Sequence, residues 1–274
     1  MPELPEVETI ARGLAPELAG RTVVAVELRR PASVQGDAAL FRATLPGSRI
    51  ADVGRRAKLL LVRLDRPAGG RTLAFHLKMT GRCYLPEPDA APGKHAHLVF
   101  ALDNGRSLFF EDARTFGYCR LFGPGELEGW DFYRTLGPEP LEIGAAAFAA
   151  LFAGRRGRIK ALLMDQTVLA GIGNIYADET LFRAGIRPDT PADRVPAKKL
   201  KSLHGHVQAV LAEAIAACGS SISDYRDAHG NAGAFQNTFQ AYGRAGAPCV
   251  RCATPLVAIK VAGRTSTYCP HCQR

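Results

Sequence analysis

Apolar residues at Val7, Ile10, Ala11, Leu14 and Leu18 recur at helical spacing and predict an amphipathic helix from Pro5 to Ala19. Pro5 suits the first turn, Glu6 and Glu8 complement the positive end of the helix, and Gly20 stops it. From Thr22 to about Phe122 the period changes. Val23–Leu28, Leu59–Leu64, Leu73–Leu77, Leu98–Leu102 and Ser107–Phe110 are short, β-rich runs separated by Gly, Pro and Asp. Asn104-Gly105 marks a hairpin turn. This pattern predicts an antiparallel sandwich or barrel-like domain with the first helix packed on it. Gly123 to Pro140, rich in Gly and Pro, is the linker candidate. Helical patterns resume at Ala145–Phe152, Ile159–Met164, Asn174–Ala184 and Lys198–Ala217, and a polar, Gly-rich lead-in from about Ala234 precedes two close cysteine pairs. The expected class is α+β. Its divisions are a β-domain over 1–122, a linker over 123–140, a helical domain over 141–233 and a cysteine-bearing tail over 234–274.

Length and composition narrow the function. A chain of 274 residues with 47% hydrophobic content supports two globular domains. No apolar run approaches a membrane span and no charged-then-apolar leader precedes residue 20, so the expectation is a soluble, non-secreted, cytoplasmic protein. The formal net charge of +9 suggests a polyanionic partner, either nucleic acid or an acidic membrane surface. The charge is clustered: Arg55, Arg56 and Lys58; Arg155, Arg156, Arg158 and Lys160; and a tail from Gln236 to Arg274 that has five Lys and Arg but no Asp or Glu. Such clusters fit a surface that follows phosphates.

Four of the seven cysteines form Cys249-x2-Cys252-x16-Cys269-x2-Cys272. Two mirrored pairs match a tetrahedral structural zinc site, and four thiolates leave no open position for catalysis. A pair of redox dithiols is the alternative, but one redox motif would suffice. Val257, Ile259 and Val261 alternate between the pairs, as a β-hairpin requires. Binding zinc supplies about 10–16 kcal/mol in finger peptides, so this tail is expected to fold around its metal. His271, between two ligands, is read as a bystander. Lys260 and Arg264 ride on the hairpin as cations suited to a phosphate backbone.

Two further features carry candidate chemistry. In Gly171-Ile-Gly173-Asn174 a tight turn opens a helix whose N-terminus offers N–H groups to an anion, and Lys160 is placed to reach the same phosphate. Simple helix packing is the competing explanation. At the other end, removal of Met1 exposes Pro2 as a secondary amine with a reference pKa near ~7.7–8.0. Attack on a sugar aldehyde carbon gives an iminium that cannot lose a nitrogen proton. Glu3 supplies a carboxyl beside it for proton transfer. An ordinary flexible terminus is the bland alternative.

Taken in order, Pro2-Glu3-Leu4-Pro5-Glu6-Val7-Glu8-Thr9, the Lys58 strand, His76-Leu-Lys-Met79-Thr-Gly81, Lys94-His95-Ala-His97, Asp112-Ala-Arg114-Thr-Phe116-Gly117, Gly171-Ile-Gly173-Asn174-Ile-Tyr176 and the cysteine hairpin closely resemble the bacterial formamidopyrimidine-DNA glycosylase family over nearly the full chain. The resemblance implies an N-terminal β-sandwich with its first helix, a helical domain with a helix-two-turn-helix, and a C-terminal zinc-finger β-hairpin holding one structural Zn2+. It also implies a monomeric, nucleoid-associated enzyme that excises 8-oxoguanine and formamidopyrimidines from double-stranded DNA and cuts the strand by β- and δ-elimination. Pro2 is the implied nucleophile at C1′ and Glu3 the proton relay. The resemblance gives Lys58 a phosphate contact and proton transfer around elimination, and Arg264, the hairpin arginine, a phosphate near the lesion and a part in δ-elimination. Because a stacked base cannot be reached, it is flipped, and Met79, Arg114 and Phe116 match the residues that fill the gap. His95 and Arg155 match DNA-backbone contacts, and Gly81 and Gly117 suggest exposed loop tips around the wedge residues.

Two positions depart from the pattern: Thr115, where many members carry a second basic residue, and Asn231, where some have a lysine in a mobile, glycine-flanked base-capping loop. The nearest rival is the endonuclease VIII group, which prefers oxidised pyrimidines but usually has glycine where Leu4 stands. A non-catalytic zinc-containing DNA-binding protein is the rival from another class, and a redox-regulated binding module is a third. The non-catalytic DNA-binding rival has no need of Pro2, Glu3 and Lys58 together.

Overall fold

The computed structural model describes residues 1–66 and 69–274. The chain packs as two compact units, Met1–Arg134 with Ala217–Ala234, and Thr135–Ala216 with Phe235–Arg274.

The first unit opens with α1 (Leu4–Leu18), capped by a box in which Glu3 and Glu6 exchange side chain-to-backbone bonds. Eight strands follow: β1 (Thr22–Leu28), β2 (Ser48–Arg56), β3 (Leu59–Asp65), β4 (Arg71–His76), β5 (Gly81–Tyr84), β6 (Ala96–Leu102), β7 (Ser107–Asp112) and β8 (Tyr118–Phe122), with α2 (Ala38–Thr44) after β1. They form one antiparallel sheet in the order β5-β7-β6-β1-β2-β3-β4-β8. The sheet folds over on itself. In a flat sheet β4 and β7 would stand about 24 Å apart, five strand spacings. Instead Phe75 of β4 and Phe110 of β7 meet at a centroid distance of 5.6 Å. Cys83 of β5 and Cys119 of β8, from opposite edges, share one core with α1. This folding-over is the sandwich that the alternation implied.

Four elements were not legible in the pattern: α2, β2, β5 and β8. In β2 a register shift between Ile50 and Asp52 breaks the two-residue period. The predicted linker also carries structure. Two short helices, α3 (Glu126–Gly129) and α4 (Asp131–Arg134), bracket Trp130, which packs with Phe132 on Leu59, Leu61, Ala74 and Phe122. A glycine- and proline-rich composition hides such an aromatic anchor.

The second unit holds α5 (Ala145–Ala150), α6 (Ile159–Met164), α7 (Asn174–Ala184) and α8 (Ala197–Ala216), then a hairpin of β9 (Val257–Val261) and β10 (Arg264–Tyr268). Residues 217–234 pack with the first unit rather than with the helices that precede them.

Candidate functional site

In the first unit the chain terminus is anchored from below. Pro2 is buried and Glu3 is 3% exposed. Glu6, 1% exposed, accepts Glu3 N–H through Oε2 at 2.8 Å and Ser220 N–H through Oε1 at 2.8 Å. One carboxylate therefore ties the residue after Pro2 to the 217–234 segment. That segment is closed at its stem by Ala234 N–H on Ala217 O and by Gly233 N–H on Ser221 Oγ. Only glycine fits at 233, because a Cβ there would lie 2.3 Å from Gly219 O. Asp227 organises the far side, accepting His229 and Asn231 N–H. The tip, Ile222 to Asp224, is exposed. Burial and then the Glu6 charge push the Tyr225 phenol well up, so it stays neutral as it donates to Glu6 O.

Lys58 follows Ala57, a left-handed residue (φ 53°) whose carbonyl accepts from Arg55 Nη1 at 3.0 Å. Arg55 also holds Glu8, whose carboxyl sits low: burial alone would raise it, but the bonds from Arg55 and Arg12 outweigh burial. Lys58 is 7% exposed and lies near His76. Burial, then Lys78 and Lys58, hold the His76 imidazole down at about 3. It is neutral, and Lys78 N–H donates to its Nδ1 at 3.1 Å, which leaves the proton on Nε2.

Met79, Arg114 and Phe116 converge. Met79 and Phe116 are 43% and 54% exposed. Arg114 Nη1 lies 3.1 Å from Met79 Sδ, and its guanidinium stacks 5.0 Å from the Phe116 ring centre. Asp112, fully buried, is the hub beneath them: it accepts from Thr80 Oγ1, Arg114 N–H at 3.2 Å and Gly117 N–H at 2.6 Å. Thr115 adopts φ 59° at the turn. Two solvent-facing apolar side chains and a cation, all set by one carboxylate, make a rigid polar-tipped wedge. Beside it, His95 lines a cavity of about 310 Å3 with Arg82, Glu111, Ser223, Asp224 and Arg226.

In the second unit the turn between α6 and α7 is clamped by Gln166. Its Nε2 donates to Met164 O and Ile172 O, and its Oε1 accepts Gly171 N–H at 2.9 Å. Asn174 opens α7 with its Oδ1 buried and without a hydrogen-bond partner. Arg155 and Arg264 are exposed.

The four cysteine sulfurs lie within 4.8 Å of one another, with Cys252 3.5 Å from Cys269 and 3.4 Å from Cys272. A tetrahedron of Zn–S bonds near 2.3 Å has edges of about 3.8 Å, so the set fits zinc. Backbone N–H groups of Arg251 and Cys272 point at Cys249 Sγ and Cys269 Sγ, as thiolates require. Among the described residues His271 is not part of this group.

Residues 1–119 match the formamidopyrimidine-DNA glycosylase N-terminal domain, residues 136–226 its H2TH domain, and residues 246–274 the zinc finger found in FPG and IleRS. The formamidopyrimidine-DNA glycosylases of Nitratidesulfovibrio vulgaris and Chloroflexus aggregans are each 46% identical, and the matches cover all of this chain and 100% and 98% of theirs. The chain belongs to the formamidopyrimidine-DNA glycosylase family. Among solved structures, a Lactococcus lactis FPG variant in complex with Fapy-dG-containing DNA superposes with a TM-score of 0.92 at 33% identity over all of both chains. The Lactococcus lactis protein with abasic-site DNA gives 0.91 at 33% over 99% of each.

Three expectations from the sequence differ from the placement the structure gives. Lys160 does not face a phosphate: its ammonium is fully buried, 2.7 Å from Asp178 Oδ1. Gly81 and Gly117 are buried rather than exposed tips: a Cβ on Gly81 would lie 2.4 Å from Leu77 O, and one on Gly117 would crowd Phe110, Asp112 and His76. The exposed positions are Met79 and residues 113–116. Asn231 Nδ2 turns inward to Asp227 Oδ2, so this side chain braces its own loop. Asp112, Gln166 and Ser220 were missed, because nothing in their local sequence announces a partner five to 214 residues away.

Proposed function

We propose that this chain is a bifunctional DNA glycosylase and abasic-site lyase of base excision repair, which removes 8-oxoguanine and formamidopyrimidines from duplex DNA. The observation that carries the reading is the anchored terminus, where the buried Glu6 fixes Glu3 and hence the residue before it. With Met1 in place the Pro2 nitrogen is an amide; once Met1 is removed it is a secondary amine. Its lone pair attacks C1′, the glycosidic bond breaks, and the base leaves with a proton. Glu3 relays protons during ring opening, the resulting iminium acidifies the 2′ C–H, a neighbouring base takes that proton, and the freed electron pair expels the 3′ phosphate (β-elimination). The 5′ phosphate leaves in the second, δ, step.

Lys58 stands beside the neutral His76 as a cation for phosphate and proton transfer. Met79, Arg114 and Phe116 fill the gap left by the flipped nucleotide, with Arg114 presenting donors to the orphaned base. His95, Arg155 and Asn174 hold the backbone, and the hairpin's Arg264 holds a phosphate near the lesion and serves the second, δ, elimination. Support for Asn174 comes from its place at the start of α7, whose positive end favours an anion. One Zn2+ on Cys249, Cys252, Cys269 and Cys272 holds the hairpin and takes no part in the chemistry. The working form is read as a monomer acting on nucleoid DNA in the cytoplasm. What supports this is that every proposed role falls within one chain, and light scattering of the protein–DNA complex tests it.

Borohydride trapping on an 8-oxoguanine:cytosine duplex, with mass mapping of the crosslinked peptide, tests the reaction. A covalent adduct on Pro2 is expected. No adduct from zinc-replete protein with a Pro2 terminus would leave a lesion-binding protein. An adduct formed only with oxidised pyrimidines would move the chain to the endonuclease VIII type.

A further inference from the structure

Lys160 on α6 carries a charge with no exposed surface, and Asp178 on α7, 1% exposed, is its partner at 2.7 Å. The pair does not stop at itself. Asp178 Oδ1 accepts Ser266 Oγ at 2.7 Å, and Oδ2 accepts Thr267 N–H at 3.1 Å. Lys160 Nζ donates to Thr265 O at 3.2 Å. Three consecutive residues of β10 are therefore gripped by one buried ion pair. The residue that immediately precedes them is Arg264, exposed at the start of the strand.

A buried ion pair is a poor route to stability alone, because packed apolar side chains of similar volume do as well or better. What it provides is direction: fixed donors and acceptors admit one register and one orientation. The hairpin needs that. Two strands of five residues are marginal by themselves, and the cysteine ligands secure only the end next to Tyr268. The opposite end, where Arg264 sits, is steered by the 265–267 contacts. Burial raises the Asp178 carboxyl while Lys160 and the two hairpin donors pull it back, so the charged pair and the docked hairpin support one another.

We propose that Lys160 and Asp178 are a positioning pair that aims Arg264, and that their contribution to the reaction passes through Arg264 to the second elimination without touching DNA. This rests on the reading of Arg264 given above.

The test follows single-turnover cleavage of a preformed abasic duplex by excess zinc-replete enzyme, resolving the rates of β- and δ-elimination. Arg264→Ala sets the floor for the δ-to-β ratio. Lys160→Met and Asp178→Asn are expected to lower that ratio by about 10–100-fold, since a misplacement near 1 Å costs on the order of 100-fold, and to leave the β rate unchanged. Ser266→Ala keeps the ion pair and loses one grip, and should lower the ratio several-fold. Loss of folded protein scales both rates alike, so a merely structural role would not move the ratio. A wild-type ratio in Ser266→Ala and in whichever charge variants fold would overturn the proposal; where neither charge variant folds, Ser266→Ala decides. If Arg264→Ala leaves the ratio unchanged in an enzyme that otherwise works, the role given to Arg264 fails and the proposal with it. An inactive wild type would instead refute the reaction itself.

Discussion

Replacing Glu6 by Gln is the sharpest perturbation of the first unit. The carboxylate accepts two backbone N–H groups, from Glu3 and Ser220, each at 2.8 Å, and it is 1% exposed. A carboxamide has one oxygen, so one of those N–H groups must face an NH2. A buried donor left without an acceptor costs about 1–3 kcal/mol, and about 2 kcal/mol is the central expectation. For a domain of roughly 150 residues each kcal/mol lowers Tm by about 2–4 °C, so the first unit should melt about 4–8 °C earlier. The loss should be local before it is global. Amide exchange at Ser220 and Glu3 should speed up, while exchange in β3, the middle of the sheet, is unchanged. Base excision should fall more than strand cleavage at a preformed abasic site if, as the family resemblance implies, the 217–234 segment caps the base, because only the first reaction has a base to cap. Calorimetry, exchange monitored by mass spectrometry and the two single-turnover assays read these together. A Tm within one degree of wild type with unchanged exchange at Ser220 would refute the claim that this carboxylate couples terminus and loop.

Other outcomes are as specific. Stripping the zinc with a chelator should unfold the β9–β10 hairpin and weaken duplex binding, with recovery on adding zinc; binding and circular dichroism that ignore the metal would contradict a structural role. His76, held at about 3 when folded against 6.5 when unfolded, is neutral in the native state, so the stability it carries is present above pH 6.5 and is lost as pH falls below it. At pH 5 this loss is about 2 kcal/mol, and urea unfolding of His76→Gln should show a correspondingly flatter acid dependence. Phe116→Ala, at a side chain 54% exposed, should leave Tm nearly unchanged yet weaken lesion-duplex binding by about 1–3 kcal/mol, because the wedge offsets unstacking only when DNA is bound. An equal loss of Tm would make Phe116 a packing residue instead.

Much of this protein was legible from order and spacing. Local periodicity predicted α1, five of the strands and the main helices, because each buries one face and the period records which. The two Cys-x2-Cys pairs predicted their own tetrahedron, since four ligands on two turns leave few other geometries. The ordered motifs from Pro2 to Cys272 carried the family. Composition misread what depends on distant partners. A Gly- and Pro-rich stretch concealed the Trp130 anchor, and a lysine in a basic cluster looked like a phosphate ligand although its ammonium is shut in with Asp178. Only the fold joins Glu6 to Ser220 across 214 positions, sets Met79 against Arg114, or brings Lys160 to Thr265. The physical reason is common to all of them. A residue's type fixes which charge or hydrogen bond it can offer, but burial and partner decide whether that group faces DNA, metal or core, and both come from chain segments that local sequence does not see.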